Sequence, residues 1–121
     1  MADPLTDALE YFVAACPHVR STRDLVTKIR LELEERYVLD LYFRETTAQY
    51  SYSLHRDNQR VLGWDNAPPY PDLSNAPHHF HREDGEVEAS TLKGDPVQDI
   101  SIVVERINAL YVAKPDDNPA Q

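Results

Sequence analysis

At 121 residues and 13.9 kDa the chain is the size of one domain with its own core, and 41% hydrophobic and 27% charged residues exclude a disordered polypeptide. A net charge of −9 and a pI near 4.8 exclude the broad basic footprint of a non-specific nucleic-acid binder. The single cysteine, Cys16, leaves no internal disulfide and no cysteine-built zinc site, and no apolar run approaches the roughly 18 residues of a membrane span.

Asp3-Pro4 reads as a helix start, because Asp caps orphan N–H groups and Pro suits the first turn. Leu5, Ala8, Leu9, Phe12 and Val13 follow at helical spacing until Pro17. From Leu25 the period becomes two: Ile29, Leu31 and Leu33 alternate with charged residues, and Tyr37, Leu39, Leu41 and Phe43 continue after a turn near Glu35-Arg36. Tyr50, Tyr52 and Leu54 mark a third strand, and Arg60 to Trp64 a fourth after the turn at Arg56-Asp57-Asn58-Gln59. His78 to Arg82 reads as a short extended piece. Asp95-Pro96-Val97-Gln98 has the look of a capping box, and Ile100, Val103, Val104, Ile107, Leu110 and Tyr111 form a helical stripe. The expected fold is α+β: an antiparallel four-strand meander with an N-terminal and a C-terminal helix packed on one face. Residues 1–113 make the single domain, and 114–121 a flexible acidic tail.

Lysine occurs only at 28, 93 and 114, and arginine supplies the other basic residues. Acidic excess with scarce lysine fits a halophilic, high-salt cytoplasm and an ordinary acidic protein equally. A cytoplasmic protein with no membrane partner is the expectation.

The densest chemistry lies in Gly63-Trp64-Asp65-Asn66-Ala67-Pro68 and Ala76-Pro77-His78-His79-Phe80-His81. These hold the only tryptophan and three of the five histidines, with prolines crowding the loop between them. Proline lacks an N–H and fixes φ, so this is a rigid loop at the end of a sheet, a common setting for a site. In an extended segment His79 and His81 point one way, His78 and Phe80 the other. Three uses of the histidines stay open: holding the loop backbone, acid–base or phosphate chemistry, and metal binding with Asp65. No HExxH-type spacing favours the metal. Asp65 suits a carboxylate that orients a histidine as well as it suits the turn, whereas turn formation is the commoner use of Asn66. Trp64 fits the core or a stacking surface. Arg44, Arg56, Arg60 and Arg82 lie around the strands feeding the loop, and guanidinium forks suit phosphate.

These paired motifs resemble the TumE-like family, small proteins regarded as toxins of type II toxin–antitoxin pairs. Its members are similar in length and in layout, with a terminal helix at each end, a Trp-Asp-Asn-Ala-Pro motif ending a strand, and a Pro-His-His-x-His motif. The stretch from Arg44 to Tyr52 fits the family's Tyr-rich strand. One departure is clear: Pro69 and Tyr70 stand where many relatives carry two histidines. The resemblance implies a toxin with an antitoxin as its protein partner.

The leading expectation is an endoribonuclease that needs no metal or other cofactor, acting on RNA. His79 and His81 are the expected base and acid and Asp65 the orienter; Trp64, Asn66, His78, Arg56 and Arg82 are the expected substrate contacts. The alternatives are a non-catalytic module that binds a protein through the Trp-Asp-Asn-Ala-Pro loop, and a metal-dependent hydrolase. Oligomeric state is not legible.

Overall fold

A computed structural model describes residues 3–112. Helix α1 spans Pro4–Ala15, strand β1 Val19–Asp24, β2 Ile29–Leu33, β3 Tyr37–Arg44, β4 Gln49–Arg56, β5 Gln59–Asp65, β6 His79–His81 and β7 Val87–Ala89, and helix α2 spans Pro96–Val112. The strands form one antiparallel sheet in chain order from β1 to β7, a continuous meander. The α+β class stands, but the expected four strands are seven.

The physical reason lies in the extra strands themselves. β1, Val19-Arg20-Ser21-Thr22-Arg23-Asp24, is an edge strand exposed on nearly every residue, so it carries no apolar alternation to read. β6 and β7 have three residues each, too few for a period. Leu25, read as the first strand residue, lies in the turn between β1 and β2, where its N–H bonds Lys28 O at 2.8 Å.

Leu31, Leu39, Leu54, Leu62, Tyr52, Trp64 and Phe80 project from one side of the sheet and are buried. Leu5, Ala8 and Phe12 of α1 and Ile100, Val103, Val104 and Ile107 of α2 join them in one core. Asp3 caps α1 through the Leu5 N–H as expected. At α2, Asp95 receives the Val97 N–H, but the group that gathers the preceding turn is Asp99 rather than Gln98. Its buried carboxylate accepts the N–H groups of Lys93, Gly94 and Asp95. The expected tail, 114–121, lies outside the described residues.

Candidate functional site

Asp65 ends β5, and the register places it opposite His79 and places Gly63 opposite His81. Alternation therefore turns Asp65, His79 and His81 to the side of the sheet away from the helices. The Asp65 carboxylate lies between the two imidazoles: Oδ1 is 2.9 Å from His79 Nε2, and Oδ2 is 3.0 Å from His81 Nε2. The Ala67 N–H also bonds Oδ1, which fixes the carboxylate as the chain leaves the strand.

The two histidines differ in their outer nitrogens. His79 Nδ1 lies 3.0 Å from Pro77 O, so both of its nitrogens face oxygen acceptors, and its side chain is 1% exposed. His81 Nδ1 instead lies 3.2 Å from the Arg60 guanidinium, which can only donate. His81 Nδ1 therefore carries the lone pair, and Nε2 carries the proton shared with Asp65. Burial of the ring, then the charge of Arg60, hold His81 below the usual histidine range, against the pull of Asp65. The Tyr70 ring covers the pair, its centroid 4.5 Å from that of His79 and 6.3 Å from that of His81.

Several expected site residues lie elsewhere. His78 points to the other side, where the Tyr50 hydroxyl meets its Nδ1 at 2.9 Å. Trp64 is buried against Phe80 and is a core residue, so it offers no stacking surface. Asn66 clamps the β3–β4 turn, accepting the Tyr50 N–H and donating to Ala48 O. Arg56 sits at the far end of β4, over the Tyr37 ring and bonded to Glu35 O. Arg82 is paired with Asp84 and Glu88. His79 is buried behind Asp65.

Arg60, one of the four arginines that the sequence offered, is the cation that does reach the site. A bulge between Leu54 and His55 shifts the register of β4 on β5, so Arg60 pairs with His55. Simple alternation with Leu62 and Trp64 would have sent it into the core.

Donor atoms of Asp65, His79 and His81 lie within 4.8 Å of one another, a spacing that can hold a divalent metal such as zinc, iron or manganese. His79 fits that use well, because an Nδ1–H held by a backbone carbonyl leaves Nε2 free to ligate. His81 fits it only if Arg60 withdraws and the ring proton moves to Nδ1.

A family model described as toxin TumE matches residues 9–111. No curated protein and no solved structure matches the chain.

Proposed function

Because the chain belongs to the TumE toxin family, we propose that it is the toxin of a toxin–antitoxin pair and that it cleaves RNA at Asp65 and His81. The observation that carries this reading is His81 itself: its Nε2 is held by a carboxylate, while Nδ1 offers a lone pair beside a guanidinium. Such an imidazole is a general base oriented by an acid, the relationship used in catalytic triads. His81 Nδ1 takes the proton of a ribose 2′-OH, and the 2′ oxygen attacks the adjacent phosphorus. Arg60 turns to the phosphoryl oxygens and neutralises the charge that builds there. Asp65 steadies the imidazolium that forms, and His79 acts through Asp65 by holding it in place. The leaving 5′ oxygen takes its proton from solvent. Products ending in a 2′,3′-cyclic phosphate and a 5′-hydroxyl are the signature.

The test is cleavage of a labelled RNA by the purified chain, with and without a chelator, beside His81→Asn and Arg60→Gln. Chelator-resistant cleavage lost in His81→Asn supports the reading. Cleavage that a chelator abolishes and a divalent metal restores supports a second reading, a metal-dependent hydrolase, favoured by the close donor atoms of Asp65, His79 and His81. No cleavage by the intact chain leaves a toxin that acts by binding.

A further inference from the structure

The sheet has a face that the helices do not cover, and charge is distributed on it against the trend of the chain. Arg23 stands opposite Arg30, Arg30 opposite Asp40, Asp40 opposite Ser53, Ser53 opposite Gly63 and Gly63 opposite His81. One row of side chains thus crosses from β1 to β6 and ends at the His81 site. Lys28 joins it by an ammonium bond to Asp40 at 3.0 Å, Arg44 lies further along the same side of β3, and the bulge turns Arg60 onto it. Five basic side chains, Arg23, Lys28, Arg30, Arg44 and Arg60, share the face with Glu32, Asp40 and Asp65, although the whole chain has 21 acidic and 12 basic residues. Each of those carboxylates is already engaged: Glu32 by Ser21, Asp40 by Lys28 and Arg30, Asp65 by the two histidines; Asp57, at the rim of this face beside Arg56, is engaged by Arg36.

The face is also shaped to receive a chain. Two shallow hollows of about 350 and 330 Å³ lie side by side and share Lys28, Asp40 and His55. Tyr42, Ser51 and Ser53 line the second, offering a ring and hydroxyls. Between Ser53 and His81 the row has only Gly63, whose added Cβ would meet Tyr52 O at 3.0 Å. The Arg60 side chain passes over this position, its Cδ 3.5 Å from where that Cβ would stand.

We propose that this open face is the track on which single-stranded RNA lies, its flanking phosphates on Arg23, Lys28 and Arg30 and the scissile one at Arg60 and His81. From β2 to β6 is four inter-strand steps, about 19 Å, room for several nucleotides. A cationic groove with an aromatic ring and hydroxyls is the general chemistry of sequence-tolerant single-strand binding. It also reconciles an acidic protein with an anionic substrate, because the excess acid is kept off this face. The inference rests on the ribonuclease reading for the direction of the track, but its own content is binding.

The experiment measures fluorescence anisotropy of a labelled 2′-O-methyl RNA, which has no nucleophile and stays intact. It compares the full chain with Arg23→Glu combined with Lys28→Glu, and with Asp40→Asn, at several salt concentrations, each variant checked by thermal melting. Binding is expected to weaken several-fold in the charge-reversed variant, with a shallower salt slope by about one unit per lost phosphate contact. Asp40→Asn, which frees Lys28 and Arg30 from their carboxylate, is expected to tighten binding. Oligonucleotide binding that is absent in the intact chain, or equal in all three proteins, overturns the track. Binding that follows these residues in a chain that never cleaves RNA keeps the track and ends the ribonuclease reading. Cleavage that persists while the charge variants bind like the parent does the reverse. An acidic antitoxin segment as the true occupant shows as charge-sensitive antitoxin binding without oligonucleotide binding.

Discussion

His79 and His81 leave β6 on the same side and share the Asp65 carboxylate, yet their side chains are 1% and 13% exposed. The pair therefore separates a supporting role from a chemical one. His79→Ala removes a buried ring and two hydrogen bonds and is expected to cost about 2–4 kcal/mol. His81→Ala removes two partly exposed hydrogen bonds, to Asp65 and from Arg60, and is expected to cost about 1–2 kcal/mol and to lower RNA cleavage by about 10²–10⁴-fold. Denaturant unfolding and cleavage rates on both variants check this. A stable, fully active His81→Ala would discard His81 as the base.

Acid should weaken the protein in a window set by two histidines. Burial holds both His55 and His81 below their ordinary value of 6.5; around His55 stand Asp40, Lys28, Arg60 and Arg30, around His81 Arg60, Asp65 and His79. A folded-state value below the unfolded one means that the unfolded chain binds more protons. This contribution is therefore complete above about pH 6.5 and is lost as pH falls through the folded values. Urea unfolding between pH 7.5 and 5 is expected to show the parent losing stability relative to His55→Asn combined with His81→Asn. A difference that is flat or grows on acidification contradicts the assignment. Cleavage should fall over the same acid limb, because the protonated Nδ1 is no longer a base.

Much of this arrangement was legible in the residues. The period-two runs from Ile29 to Asp65 located β2 to β5, and alternation in His78-His79-Phe80-His81 separated His79 and His81 from His78. Trp64 showed its aromatic surface but not its side; only the pairing of Tyr52 with Trp64 and of Trp64 with Phe80 puts it in the core. Arg56 and Arg60 looked alike in sequence, and one bulged residue decides which of them meets the site. Long-range register is not a local property, so the sequence offers the candidate cations but not which of them meets the site.

Tyr52 offers a test of core chemistry apart from the site. Its hydroxyl is buried and has no hydrogen-bond partner among the described residues, and burial, together with the charge of Asp99, raises its ionisation well above the usual tyrosine range. A buried polar group without a partner costs about 1–3 kcal/mol. Tyr52→Phe removes only that oxygen and is expected to raise stability by about 1 kcal/mol. A loss of stability in thermal melting would show that the hydroxyl is satisfied after all.

The turn joining β1 and β2 is strained at a residue that contributes nothing to the core. Thr27 N–H bonds Leu25 O at 2.8 Å, closing a three-residue turn around Val26, whose φ is +74°. A β-branched side chain is poorly suited to positive φ, where an L-residue costs about 1–2 kcal/mol. Val26 is 94% exposed, so little apolar burial is lost when it is changed. Val26→Gly removes the strain but gives the unfolded chain more freedom, a cost of about 0.4–1 kcal/mol. The strain relief is larger, and a net gain of about 0.5–1 kcal/mol is expected, a rise of a few degrees in Tm for a domain of this size. Val26→Ala keeps its Cβ and so keeps most of the strain, and its Tm should stay near that of the parent. Equal gains for Gly and Ala would place the cost in the branched side chain, and a lower Tm for Gly would show that the turn is not strained at Val26.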